Sequence, residues 1–280
     1  MLKSLSLFVL FALALNGCSP ARMVTDAAPT LTPTINPPTH TPTIVLTETP
    51  APARVPTQVP PKVCSPLAGV NLDQLAEMIV NPYHPPKPGS DDPHQGLDLA
   101  NLSGPGGIAL SGMTVQGVMA GKVAGVTQDR FPYGNMLIVE TLLDENYLGQ
   151  LPTLVLPTPL PERLPRGALT CPELDASPAA ANEPRSLYIL YAHMQNPPIF
   201  TPGDDIACGQ EIGAIGDSGN ALNPHLHIEA RVGPAGQTFA SMAHYDPSAD
   251  YGEMAAYCTW RVSGVFQTIN PECLWGECGP

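Results

Sequence analysis

The residues from Val63 onward predict an all-β, antiparallel domain, on three observations. The apolar runs are short, they are rich in Val and Ile, and Gly and Pro punctuate them. In chain order, Met136–Val139, Leu187–Tyr191, Glu211–Ile215 and Ile228–Val232 each read as one strand. Asn71–Val80 is the exception. Leu72, Leu75, Met78 and Ile79 recur at spacings of three and four, which share a face in a helix, so a short N-terminal helix is expected there. Residues 143–185 are proline-rich, apolar from Leu151 to Leu156, and contain Cys171; they read as an insertion beside the strands that shapes access to them. The segment 63–280 is long enough for one domain with a substantial core.

Upstream of that domain the chain changes character twice. A basic start, Met1-Leu2-Lys3, precedes an apolar run from Leu5 to Leu15. That run is too short to span a hydrocarbon core, which takes about 20 residues, and it fits the apolar region of a signal peptide over residues 1–17. Leu15-Asn16-Gly17-Cys18 resembles a bacterial lipobox, which implies cleavage before Cys18 and lipidation of its thiol and new amino group. Two or more acyl chains give stable attachment, so an extracytoplasmic protein anchored to the bacterial membrane is expected. Residues 18–62 then form a linker. Between Pro29 and Pro61 there are ten prolines and nine threonines without a glycine, a composition that buries too little surface to fold and stays extended. His40 falls in this linker and is read as inert.

A net charge of −13 with only twelve basic residues argues against nucleic acid as a partner. With Cys18 assigned to lipid, six of the seven cysteines remain, an even number that suits disulfides in an oxidising compartment. Six cysteines allow fifteen connectivities, which stay open; among them Cys273 with Cys278 is the easiest local pair, Cys171 with Cys208 would tie the insertion to the core, and Cys64 with Cys258 would clamp the domain's ends. His84 and His244 are read as surface or structural residues, and Trp260 and Trp275 as core.

Chemistry concentrates in three strings: His94-Gln95-Gly96-Leu97-Asp98, Tyr191-Ala192-His193-Met194 and His225-Leu226-His227, which hold four of the seven histidines. Imidazole and carboxylate are the donors a catalytic zinc takes, three from the protein with one position left for water. His225 and His227 begin a strand, where residues two apart project to the same side. Pro93 and Gly96 favour a loop running into a strand for the first string.

His-x-x-x-Asp, Tyr-x-His and His-x-His together resemble the lysostaphin-type zinc endopeptidases, which cut peptides of bacterial peptidoglycan. The likeness extends through Gly112–Val115 with Val118–Val123, Tyr133-Gly134-Asn135, Gly203–Asp205 with Gly209–Gly213, and Gly216–Gly219 with Asn223–His227, about His94 to Val232 in all. Asn223 departs from the pattern, standing where the family carries Gly. The resemblance implies a two-layer antiparallel β-sheet groove for the domain at 63–280. It implies Zn²⁺ as cofactor, held by His94, Asp98 and His227, with His225 as general base and His193 as second active-site histidine. It further implies a cell-wall metalloendopeptidase acting on cross-links or stem peptides of peptidoglycan, read as a monomer. The alternative is a non-catalytic peptidoglycan-binding or amidase-regulating module on the same fold; such relatives lose ligands, whereas all five side chains are present here. A biotinyl or lipoyl carrier shares some of the glycine strings, but no lysine sits at a hairpin tip between them.

Overall fold

The computed structural model describes residues 61–85, 91, 94–144, 147, 170–172 and 184–276. The leader, Cys18, almost all of the linker and most of 143–185 lie outside the described residues. Among the described residues no helix is long and apolar enough to cross a membrane.

Among the described residues ten strands are formed: β1 (Ile79–Asn81), β2 (Leu97–Leu99), β3 (Thr114–Gln116), β4 (Gly121–Arg130), β5 (Gly134–Leu142), β6 (Arg185–Ala192), β7 (Asp205–Ile206), β8 (Glu211–Ala214), β9 (Leu226–Pro234) and β10 (Gln267–Ile269). Eight make one antiparallel sheet in the order β1-β2-β9-β6-β5-β4-β7, with β10 also paired to β9, while β3 and β8 form a separate two-stranded ribbon. The all-β, antiparallel expectation holds, and each expected strand lies on an observed one apart from Ile215, the residue after β8. The expected N-terminal helix is a 3₁₀ segment, Leu72–Met78, with Leu75 buried. At three residues per turn Leu72, Leu75 and Met78 line up on one side, which suits the spacing of three better than an α-helix does.

The large sheet buries both faces. Along β9, Leu226, Ile228, Ala230 and Val232 face one core with Leu187, Ile189 and Tyr191 of β6 and Leu137 and Val139 of β5, with Val115 and Ile212 of the ribbon packed in. The opposite face carries Tyr188, Leu190 and Ala192 against Phe239, Tyr257, Trp260 and Phe266. Tyr257 and Trp260 come from α1 (Tyr251–Arg261), which has no counterpart among the sequence expectations. Its start is a capping box: Asp250 accepts from the Glu253 amide (2.9 Å) and Glu253 accepts from the Asp250 amide (3.2 Å).

The disulfides correct the expected pairings. Cys64 bonds Cys208, and Cys171 bonds Cys258, with Cα–Cα distances of 5.6 and 5.9 Å. Cys64 runs beside Val118, to whose carbonyl its amide donates, and Gly209 next to Cys208 donates to Gly117, so the backbone sets the first pair side by side. Cys258 belongs to α1 on the other face of the sheet, out of reach of Cys64. Cys273 is also disulfide-bonded; its expected partner Cys278 lies outside the described residues. The insertion leaves sheet pairing intact, since Leu142 and Ser186 on either side of it are register partners. Its described piece is tied to α1 by Cys171–Cys258 and to His244, whose Nε2 donates to the Thr170 carbonyl at 2.8 Å.

Candidate metal centre

Alternation along two short strands creates the site. In β2, Leu97 and Leu99 are fully buried in the first core, which turns Asp98 to the other face. In β9 the same alternation turns His227 and Glu229 to that face, and Asp98 and His227 are direct register partners. On the far side of β9, Ala192 at the end of β6 pairs with His227, delivering His193 next to it. His193 has a positive φ of 60°, a backbone bend that starts the turn out of β6. Its amide donates to the Tyr133 carbonyl (3.0 Å) and its Nδ1 to the Ser218 carbonyl (2.8 Å).

Three donor atoms converge. Nε2 of His94 lies 3.0 Å from Oδ1 of Asp98 and 3.0 Å from Nδ1 of His227, and that Nδ1 lies 2.8 Å from the same Asp98 oxygen. A tetrahedral divalent ion with bonds of about 2 Å sets its donors about 3.3 Å apart, so the triangle fits one ion with little adjustment. The outward nitrogens are occupied: Nδ1 of His94 faces the Pro82 carbonyl at 3.1 Å, and Nε2 of His227 faces Oε1 of Glu229 at 3.1 Å. Each of those contacts takes a ring N–H, which leaves a lone pair on the inward nitrogen. Two lone pairs and a carboxylate oxygen meeting this closely repel one another unless a positive charge stands between them. Asn81 Nδ2 holds the second Asp98 oxygen at 3.0 Å, which aims Oδ1 inward.

The proton equilibria show the same pull on positive charge, since a proton takes the place of an ion on His227. Burial opposes a charge on His227, but hydrogen bonds to Asp98 and Glu229, and their charges, outweigh it and raise the pKa to about 9. Burial would raise Asp98, yet its bonds to His227 and His94 hold it far below the usual carboxylate range. His193 moves the other way. Desolvation, then the charges of His227 and His225, lower its pKa to about 3, so it stays neutral.

His225 sits just before β9, its Nε2 3.6 Å from Oδ1 of Asp98 and its Nδ1 2.7 Å from the Asn223 carbonyl. At the departure, Asn223, it is the backbone carbonyl rather than the side chain that holds His225. All five predicted side chains line one groove of about 810 Å³, together with Tyr133, Tyr245, Tyr257 and Arg261. Two close approaches shape it. A Cβ on Gly96 would sit 2.5 Å from Cε1 and 2.7 Å from Nε2 of His227, so only glycine lets the His94 loop pass that ring. Gly134 has φ +67° and a Cβ there would meet Ser218, the residue that holds His193.

Behind the donors lies a layer that sequence reasoning overlooks: Glu229, Arg231 and Gln95 are all fully buried. Arg231 Nη2 donates to Gln95 Oε1 at 2.8 Å, and Gln95 Nε2 donates to the Asp91 carbonyl at 3.3 Å. Arg261 of α1 bonds Asp91 through Nε (2.6 Å) and Glu229 through Nη1 (2.9 Å). Glu229 and Arg231 could have been found, because they continue the alternation His227-x-Glu-x-Arg within an otherwise apolar strand. Asp91, Trp260 and Arg261 carry no such signal. Of the remaining expectations, Trp260 is fully buried and His244 nearly so, Trp275 packs against the first core, and His84 is exposed.

Residues 180–240 match the family model described as Peptidase family M23, a span that includes His193, His225 and His227. No curated protein matches the chain. Among solved structures it is similar to the catalytic domain of lysostaphin from Staphylococcus simulans, at 17% identity over 58% of this chain and 86% of that one, with a TM-score of 0.34. A point-mutant catalytic domain of the prophage-encoded M23 protein EnpA from Enterococcus faecalis gives 18%, 57% and 82%, with a TM-score of 0.32. A zinc-containing peptidase from Vibrio cholerae gives 19%, 54% and 32%, with a TM-score of 0.31. What residues 180–240 match is thus the M23 peptidase family, and the motifs read in the sequence resemble the lysostaphin-type peptidases.

Proposed function

We propose that this protein is a zinc endopeptidase that hydrolyses peptide cross-links or stem peptides of peptidoglycan, working from a lipid anchor at Cys18 through the linker to residue 62. The observation that carries the reading is the meeting of His94 Nε2, Asp98 Oδ1 and His227 Nδ1 within 3.0 Å of one another, in a groove that also holds His193 and His225. His94, Asp98 and His227 would hold the ion. When bound, zinc acidifies water toward neutral pH and polarises a carbonyl.

The chain's own residues supply the rest. His193 and His225 are alike in one respect: each gives its Nδ1–H to a backbone carbonyl, of Ser218 and of Asn223, which leaves Nε2 unprotonated in the neutral ring. Both therefore keep a lone pair on Nε2, and His193, held neutral by burial, uses it to accept a hydrogen bond rather than a proton. His225, nearer the opening with 15% of its side chain exposed, is the base that takes the proton of the attacking water. That proton then serves the departing amine. His193, held at the bend after β6, orients what lies beside it.

Asp98 contributes one negative charge and the imidazoles none, so a divalent ion keeps a net positive charge and its strength as a Lewis acid. The complete set of five side chains supports catalysis over a purely binding module. Incubating residues 63–280 with defined muropeptides, with and without a chelator, tests this. New peptide termini seen by mass spectrometry, lost on chelation and restored by zinc, are the expected result. A protein that binds zinc stoichiometrically yet cleaves nothing overturns catalysis and leaves the binding module.

A further inference from the structure

The site is completed by a helix outside the matched segment. We propose that α1 positions the metal-binding histidine: Trp260 and Arg261 fix Glu229, and Glu229 fixes the ring of His227. The inference rests on the functional reading above.

Glu229 is fully buried, and every hydrogen-bonding direction of its carboxylate is taken. Oε1 accepts from Tyr133 Oη at 2.6 Å, Arg261 Nη1 at 2.9 Å and His227 Nε2 at 3.1 Å. Oε2 accepts from Arg231 Nη2 at 2.7 Å, Trp260 Nε1 at 2.8 Å and Arg231 Nε at 3.0 Å. A carboxylate offers about four lone-pair directions, so six donors leave it no room to rotate. Its orientation then dictates that of His227. With Nε2–H given to Oε1, the ring presents Nδ1 to Asp98 and His94, and a ring flipped or tautomerised the other way would meet Asp98 with the wrong atom.

Charge explains why the clamp takes two arginines. Glu229 and Asp91 carry two negative charges, and Arg231 and Arg261 carry two positive ones. The layer is neutral as a whole, so it aims His227 without adding to the charge that the ion feels. Two of its members come from α1: Arg261 reaches both carboxylates, and the Trp260 ring lies 5.0 Å from the Arg231 guanidinium. The helix is in turn tied to the insertion by Cys171–Cys258. The segments that look like additions to the family domain thereby hold its ligand from behind.

Three variants of the full chain, compared with wild type, test this by zinc affinity in chelator competition, with thermal unfolding of the zinc-free form alongside. Glu229→Gln keeps an acceptor for His227 but loses the charge that gathers the donors; removing such a partner typically weakens a metal site 10–100-fold, the loss expected here. Trp260→Phe deletes one donor and keeps the bulk; about a threefold to tenfold loss is expected, and it decides the matter should Glu229→Gln fail to fold. Phe239→Leu loosens the same cluster, where Phe239 meets Trp260 edge-to-face with ring centroids 5.3 Å apart, but Phe239 makes no bond to Glu229. It should lower the melting temperature and leave zinc affinity within twofold. Wild-type affinity in both Glu229→Gln and Trp260→Phe overturns the proposal, as does an equal weakening by Phe239→Leu, and the functional reading survives either result. A wild-type protein that takes up no zinc is the different failure, and it sinks that reading itself.

Discussion

The two sides of β9 are built on opposite principles, although the same strand makes both. On one, Leu226, Ile228, Ala230 and Val232 of β9 meet Leu187, Ile189 and Tyr191 of β6 through apolar contact. On the other, His227, Glu229 and Arg231 of β9 are just as deeply buried, but nearly every contact is a hydrogen bond with a direction. Apolar packing is tolerant, and volume-conserving changes cost under about 1.5 kcal/mol. A buried polar network is unforgiving, because a donor or acceptor left alone costs about 1–3 kcal/mol and re-aims its neighbours. Substitutions in the apolar cores and in this polar row should therefore differ in kind as well as size: the cores set how stable the domain is, the polar row what it can hold.

The largest effect belongs to a side chain that touches neither core. His225→Ala should lower the turnover of defined muropeptides by about 10²–10⁴-fold, the usual contribution of a positioned base. Zinc content should stay at the wild-type value, because His225 is outside the converging triangle. Retained turnover would reassign the base; lost zinc would make His225 a ligand.

Next comes Gly96→Ala, beside the polar row. The added methyl has to displace the His227 ring or the Ile228 carbonyl, both within 2.8 Å of it. Overpacking of this kind costs about 1–3 kcal/mol. Here it is expected to fall on His227, weakening zinc at least tenfold in chelator competition. Zinc bound at wild-type affinity would show that the ring has slack, against the view of this row as a fixed network.

How much of this could be read in advance follows the same division. β5, β6, β8 and β9 are visible as apolar runs, because a strand buried on a core face has to be continuous or alternating in Val, Ile and Leu. His94, Asp98, His193, His225 and His227 are visible because their spacing is local within three strings, and the structure brings all five to one groove. The rest depends on contacts across the fold. Asp91 meets Arg261 across 170 positions and Tyr133 meets Glu229 across 96, so no window of sequence contains both partners. The disulfides went wrong for the same reason. Pairing Cys64 with Cys258 joined the ends of the domain in sequence, but they lie on opposite sides of the sheet. Helix α1 had a legible start in Asp250-x-x-Glu253, whereas its role at the site had none.

The smallest expected effect tests the separation most directly. Ile189→Val removes one methylene from the first apolar core, at a residue 1% exposed and paired with Ala230 and Val139. Such a change costs about 0.5–1.5 kcal/mol, which for a domain of this length lowers the melting temperature by roughly 1–6 °C. Zinc at about 100 times its dissociation constant should raise the melting temperature by the equivalent of about 2.7 kcal/mol. If core and polar row are independent, that zinc-induced rise is the same in Ile189→Val as in wild type, since distant sites add within about 0.5 kcal/mol. Gly96→Ala, binding zinc at least tenfold more weakly, should cut the rise to about half or less at the same zinc concentration. A rise that shrinks in Ile189→Val would mean that packing in the apolar core is transmitted through β6 and β9 to His227, and the sheet would then be one cooperative unit in binding as well as in folding.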